Sequence, residues 1–186
     1  MASTQLEILA TVFGLIQGIL VMLNKRSNWV VYVIHLGFLI AFSYVNSLYG
    51  DMVQSGIMLG ICVYAFVTWG KPTSTITSIS TKVAVLIFAL VIVGTVSGYF
   101  ILAKTDDPLP LIDSYTTVTT FIALVLMAMR KLEAWIVWLC NDIAYMVEYA
   151  ILPDQAIYLL VLYVIWTVMA LLSYLNWSNQ YNKANL

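Results

Sequence analysis

Residues 131–141, KLEAWIVWLCN, repeat the plan of residues 25–35, KRSNWVVYVIH. Lys25 aligns with Lys131, Trp29 with Trp135, Tyr32 with Trp138 and His35 with Asn141. The identities are few, but they fall at the entrances to two apolar segments and at one depth along each. Duplicated helical units are a building plan of membrane transporters, so what lies between the two copies decides the fold.

The surroundings of both copies are apolar. The chain has 186 residues, of which 62% are hydrophobic and 9% charged, with a mean hydropathy of +0.95. A soluble domain carries roughly 25% charged residues, so this composition is that of an integral membrane protein with no separate soluble domain. A spanning helix needs about 17 to 25 mostly apolar residues. Division at the polar and proline breaks predicts seven spans, roughly 5–23, 29–46, 52–70, 82–102, 113–130, 134–152 and 155–175. Pro72, Pro108, Pro110 and Pro153 fall between these spans, where a missing N–H is harmless.

Counted across seven spans, the two copies open the second and sixth helices. The expected plan is therefore an all-α membrane protein of three spans, a linking span and three spans. The first repeat covers residues 1–79, the link 80–104 and the second repeat 105–186. With one helix as the link, both triplets enter the membrane from the same side, and transporters so built bind substrate near the midplane between the halves. Lys25, Arg26, Lys71, Lys82, Arg130, Lys131 and Lys183 fall on one side of this scheme, and Lys104 on the other. By the positive-inside rule the N-terminus is outside and the C-terminus cytoplasmic. Asp51, Asp106, Asp107 and Asp154 gather outside.

Several function classes are excluded at this level. Net charge is −1, and no basic run interleaved with aromatics suggests nucleic acid. No GxxxxGK[ST] loop exists for ATP hydrolysis. A retinal-binding opsin needs a lysine in its last span, and none lies between Lys131 and Lys183. An intramembrane enzyme needs a metal cluster or an activated nucleophile, and a single histidine with two scattered carboxylates supplies neither. Cys62 and Cys140 read as small core residues, with no metal, disulfide or cofactor implied. The first 23 residues lack a basic leader and a small-residue cleavage site, so a cleaved signal is not expected. Three GxxxG pairs, Gly14/Gly18, Gly56/Gly60 and Gly94/Gly98, are read as close packing between spans.

The sixth span carries the chemistry. At about 100° per residue, Trp135, Trp138, Asn141, Asp142, Tyr145, Glu148 and Tyr149 share an arc of roughly 140°, and the remaining positions are apolar. A carboxylate at the bilayer centre is costly by at least about 2.5 kcal/mol, so Asp142, near the midpoint, is a functional candidate. Glu148 lies about 9 Å further out. The alternative is that both are satisfied by Thr and Tyr hydroxyls and serve assembly only. Trp135 and Trp138 offer a stacking surface, with an interfacial-belt role as their alternative. In the first half, Leu36, Leu39 and Phe42 stand where Asp142, Tyr145 and Glu148 stand in the second. Tyr32 and His35 occupy the aligned positions there; a lone intramembrane histidine is as readily a structural hydrogen-bonder as a ligand contact. Gln54 and the threonines Thr116, Thr119 and Thr120 are weaker candidates. Aromatic faces suit a heterocycle, Asn141 can read its edge, and carboxylates accept sugar hydroxyls or hold a cationic ring. With acidic groups and no Lys or Arg among them, phosphate should be excluded.

At these residues the sequence resembles the PnuC family of vitamin-precursor transporters. The resemblance rests on WIVWLCND, on the lead-in D-x(16)-R-K-x-E-A-W from Asp113 to Trp135, and on LYGDMVQ and YAFVTWGK around the third span. It implies a three-one-three helical fold similar to that of SWEET sugar transporters. It also implies facilitated diffusion of a nucleoside-like vitamin precursor, nicotinamide riboside above all, with trapping by a cytoplasmic kinase, a homotrimeric assembly and a multi-pass location in the cell membrane. By the same resemblance Trp135, Trp138, Asn141, Asp142 and Tyr145 contact the substrate. Asp142 and Tyr145 depart from the amides that the nicotinamide riboside carriers tend to have there. Relatives that carry thiamine, riboflavin or deoxynucleosides are the alternatives, as is a proton-coupled mechanism.

Overall fold

The computed structural model describes all residues other than 1, 46–48, 70–74, 106, 108, 152–156 and 185–186, and not the side chains at 2–4, 7, 42–43, 49–53, 149 and 157–159. Lys71, Pro72, Asp106, Pro108, Pro153 and Asp154, and the side chains of Phe42, Asp51 and Tyr149, thus lie outside the described residues. Among the described residues seven helices follow one another: α1 Ala2–Met22, α2 Asn28–Val45, α3 Tyr49–Thr68, α4 Thr81–Leu102, α5 Pro110–Ala128, α6 Ala134–Ile151 and α7 Ile157–Ala184. They run from 18 to 28 residues, or about 27 to 42 Å, against roughly 30 Å of hydrocarbon. Thr81–Leu102, Pro110–Ala128 and Leu160–Ala184 are long and apolar enough by themselves to cross a membrane, and Ile8–Met22, Asn28–Ala41 and Gln54–Thr68 are shorter apolar stretches.

Two boundaries differ from expectation. Helix α5 starts on Pro110 rather than after it, because proline's fixed φ and missing N–H suit the first helical turn. Helix α7 continues past Leu175, where the apolar run stops, to Ala184. Its polar end stays helical while Trp177 is fully buried, so packing extends the helix beyond its hydropathy signal.

The chain divides into two compact units, Met1–Thr75 and Ile76–Leu186. In the first, α1 packs on α2 and α2 on α3; in the second, α4 packs on α5, α5 on α6 and α6 on α7. The aligned segments share a turn. After α1, Asn24 at φ 56° ends the helix, with Asn24 N–H donating to Val21 C=O and Lys25 N–H to Leu20 C=O, both at 2.9 Å. After α5, Arg130 takes φ 56°, with Arg130 N–H donating to Met127 C=O at 2.9 Å and Lys131 N–H to Leu126 C=O at 2.8 Å. Both are Schellman ends, which satisfy otherwise orphaned carbonyls. Five residues later each unit seats a tryptophan edge-on against another, one just after α3 in the first unit and one on α7 in the second. The pairs are Trp29 on Trp69 and Trp135 on Trp177, each with ring centroids 5.3 Å apart and planes at 88°.

Helix α4 belongs with the second unit through its glycines. A Cβ on Gly94 would stand 2.9 Å from Val118 Cγ2, and one on Gly98 would stand 2.9 Å from Ser114 Cβ and Oγ, so this GxxxG brings two backbones together. Gly56 and Gly60 have nothing within 4 Å of such a Cβ; the same motif on α3 does no packing among the described residues. Gly98→Ala is expected to destabilise by about 1 kcal/mol, an overpacking loss of about 2 offset by about 1 of helix propensity. Thermal unfolding in detergent measures it; an unchanged midpoint would show that α4 yields freely.

The segment before α4 is pinned to the turn before α6. Thr77 N–H donates to Arg130 C=O at 3.0 Å and Leu132 N–H to Thr77 C=O at 2.9 Å. Lys131 Nζ donates to Thr77 Oγ1 at 2.9 Å, Ile79 N–H donates to Glu133 Oε2 at 3.1 Å, and Ser78 Oγ donates to the same carboxylate. Of the cysteines, Cys62 is a core residue as expected, but Cys140 is exposed, because it falls on the apolar outer side of α6.

Candidate functional site

Helix α6 turns its polar face inward. Trp135, Asn141 and Asp142 are buried, and Trp138, Tyr145 and Glu148 are partly buried, whereas Ile136, Cys140, Ile143, Val147 and Ile151 are exposed. In water such a helix would be inside out. In an apolar solvent the pattern is the stable one, since lipid accepts the aliphatic side and the polar side must find partners within the protein.

Some of those partners come from α5. Thr119 Oγ1 donates to Asn141 Oδ1 at 2.7 Å, and Asn141 Nδ2 donates to Thr120 Oγ1 at 3.2 Å. Asn141 is fully buried, and each end of its amide retains capacity for one more hydrogen bond. The Tyr145 hydroxyl bonds the side chains of Thr116 and Thr120. The TTVTT run of α5 therefore faces α6, all three of its candidate threonines being buried.

Helix α7 supplies the aromatic side. The Tyr145 ring stacks on Tyr163, centroids 4.4 Å apart and planes at 27°, and Tyr163 meets Trp166 edge-on at 5.2 Å and 80°. Tyr163 and Trp166 were missed in the sequence. Their spacing of three residues matches that of Trp135 and Trp138, which is the signal that was there to be read. Trp135, against Trp177, is held much as its counterpart Trp29 is. Trp138 has no aromatic ring partner among the described residues, and its Nε1 is buried without a hydrogen-bond acceptor. Asp142 is 2% exposed, and its Oδ1 is buried with no donor. Native proteins leave few buried polar atoms unpaired, and those that remain ask for a reason.

The first-unit candidates are more fully engaged. His35 Nδ1 lies 2.7 Å from the Ala10 carbonyl of α1, and its ring stacks on Tyr32, 5.6 Å away at 20°. If Nδ1 carries the ring proton it donates there, as the carbonyl is only an acceptor. Tyr32 Oη lies 4.0 Å from Met58 Sδ on α3. His35 thus ties α2 to α1, as Asn141, its counterpart in the sequence alignment, ties α6 to α5. Gln54 is partly buried on α3, and Tyr149 lies on α6 with its side chain outside the described residues. Among the described residues no three His, Cys, Asp or Glu side chains converge to hold a metal.

What this face can do chemically is hold a flat polar ring: aromatic surface at Trp138 and Tyr145, hydrogen-bonding capacity at Asn141, and a carboxylate at Asp142. The chain is 27% identical over 189 residues to the nicotinamide riboside transporter PnuC of Neisseria mucosa, an alignment covering 91% of this chain and 70% of that protein. Its fold superposes on the crystal structure of the vitamin B3 transporter PnuC with a TM-score of 0.79, covering 97% of this chain and 83% of that one at 24% identity. Residues 4–179 match the family described as nicotinamide mononucleotide transporter, and the protein belongs to that family.

Proposed function

We propose that this protein carries an unphosphorylated nucleoside-like vitamin precursor, nicotinamide riboside foremost, across the cell membrane by facilitated diffusion. The observation that carries this reading is the inverted α6, which exposes its aliphatic side and buries Trp138, Asn141, Asp142 and Tyr145 to some degree. The substrate in the name of the Neisseria mucosa relative supports the choice of cargo. The family's description includes a mononucleotide; a phosphate would meet Asp142 and Glu148 with no Lys or Arg on α6, which argues for the dephosphorylated form. Transport rather than catalysis fits a helix that offers contacts but no nucleophile with its base.

In this reading all seven helices span the bilayer. Residues 1–79 and 105–186 are like triplets and 80–104 the link, a division favoured by the matching Schellman ends and tryptophan pairs. The N-terminus is outside and the C-terminus cytoplasmic, on the placement of Lys and Arg. Assembly as a homotrimer and trapping of the cargo by a cytoplasmic kinase complete the proposal. The proposed cargo contacts of the second unit are Trp135, Trp138, Asn141, Asp142, Tyr145, Glu148 and Tyr149 on α6; those of the first unit, taken by itself, are Tyr32, His35 and Gln54.

Uptake into liposomes tests the mechanism. Nicotinamide riboside should equilibrate and stop at the external concentration, with its 5′-phosphate excluded. Accumulation above that level under an imposed pH gradient would replace facilitated diffusion with proton coupling.

A further inference from the structure

The turns that open α2 and α6 align in sequence, but they are closed in different ways. Ahead of α6 the chain covers its own turn: Lys131 Nζ donates to Thr77 Oγ1 at 2.9 Å, and the Glu133 carboxylate accepts from Ser78 Oγ and from Ile79 N–H. Ahead of α2, Lys25 stands for Lys131, Arg26 for Leu132 and Ser27 for Glu133. Leu132 is buried, whereas Lys25, Arg26 and Ser27 are exposed. One turn has its lysine on a hydroxyl of the same chain; the other presents two cations.

Arg26 is also held in place. Its Nε donates to the Phe66 carbonyl at 2.7 Å, and its guanidinium carbon stands 4.0 Å from the centre of the Phe66 ring. That carbonyl is among the last four of α3, which have no partner within the helix. With Nε so engaged, Nη1 and Nη2 keep their N–H donors in a planar fork, and no acceptor for them stands among the described residues. The acidic residues of Met1–Thr75 are Glu7 and Asp51, each about 22 Å back along its helix, from Met22 on α1 and from Phe66 on α3. No carboxylate of the unit therefore lies at the end that carries Lys25 and Arg26. A guanidinium fork matches phosphate in bidentate fashion, and one already fixed loses less freedom on binding. One turn further into α3, Val63 shares the face of Phe66, and both are exposed. A phosphate-binding fork beside an apolar stripe suits an amphiphile.

We propose that Lys25 and Arg26 form a binding site for an anionic phospholipid, with its phosphate on the Arg26 fork and the Lys25 ammonium and an acyl chain along Phe66 and Val63. The site goes beyond the transport reading and rests only on its placement of these helices in a bilayer, with this turn at the cytoplasmic leaflet. A zwitterionic headgroup brings its own cation, so net-negative lipid is preferred where two basic groups lack a counter-charge.

The test is native mass spectrometry of the full chain with phosphatidylglycerol or phosphatidylcholine of the same acyl chains. Wild type should bind phosphatidylglycerol at least about fivefold more tightly, the scale of one basic group at an anionic surface. Arg26→Leu, which installs the residue of the aligned turn, should bring the two lipids within about twofold. Lys25→Gln leaves the contact with the Phe66 carbonyl intact and should also weaken phosphatidylglycerol, so it carries the test where Arg26→Leu does not fold. Lys131→Gln should leave the preference unchanged, as that lysine is already engaged. Equal wild-type affinities overturn the site, as does a preference that survives Arg26→Leu or, where that variant does not fold, Lys25→Gln. A loss of preference in Lys131→Gln would put the lipid on the other turn and also overturn it. Displacement of bound lipid by excess inorganic phosphate would make free phosphate the ligand and overturn the lipid assignment. No arm uses the cargo, so a failure of nicotinamide riboside uptake leaves the site standing, and a missing lipid preference leaves the transport reading standing.

Discussion

Trp177→Ala is expected to lower the stability of the second unit by about 3 kcal/mol, the lower end for truncating a buried tryptophan. Trp177 is fully buried at the polar end of α7, and its ring meets Trp135 edge-on at 5.3 Å. Where lipid is the alternative surrounding, transfer of apolar surface contributes less than in water. The cavity left behind and the ring–ring contact, worth about 0.5 to 1.5 kcal/mol, then account for most of the loss. Trp177→Phe keeps an aromatic edge at the site and should recover at least half. The matching substitution in the first unit, Trp69→Ala, should behave likewise, since Trp69 meets Trp29 at the same distance and angle. Thermal or SDS-induced unfolding of purified protein gives the values. A loss below about 0.5 kcal/mol, the size of an ordinary surface change, would mean that these pairs hold nothing together.

Trp138→Ala is expected to do the reverse, weakening cargo binding by about 1 to 3 kcal/mol, or roughly fivefold to 150-fold, the scale of a ring stacked on an aromatic side chain. Trp138 is partly buried where Trp177 is fully buried, so less packing is lost with it than with Trp177. The two tryptophans of the W-x-x-W pair should thus separate: Trp135 or Trp177 substitutions act on stability, Trp138 on affinity. Calorimetric affinity and unfolding midpoint measured on the same preparations distinguish them. Unchanged affinity with a lowered midpoint would return Trp138 to a packing or interfacial role.

Helix positions were readable because a spanning helix is a local property, set by a run of apolar residues against a bilayer of known thickness. The predicted spans start and stop within a few residues of the observed helices, except where α7 outruns its apolar stretch to bury Trp177. The orientation of α6 was readable for a similar reason: its polar and aliphatic residues separate cleanly at 100° per residue, and which side lipid accepts follows from solvation alone.

Partner choice was not readable. Three GxxxG pairs look alike in sequence, yet Gly94 and Gly98 meet Val118 and Ser114 while Gly56 and Gly60 have no close neighbour among the described residues. Asn141 reads as a group that can meet a ring edge, but that Thr119 and Thr120 each hold one end of its amide has no signal within α6. Such outcomes depend on which segment, distant along the chain, arrives at hydrogen-bonding or van der Waals range, and no periodicity within one helix encodes that. The sequence by itself determined the apolar helices and the inward polar face of the sixth, because hydropathy and helical period act residue by residue. Only the tertiary structure decided that Trp135 is clasped by Trp177, that the α5 threonines engage Asn141 and Tyr145, and that Trp138 Nε1 and Asp142 Oδ1 remain unpartnered, because satisfying a buried polar atom is a contest among neighbours that exist only once the helices have packed.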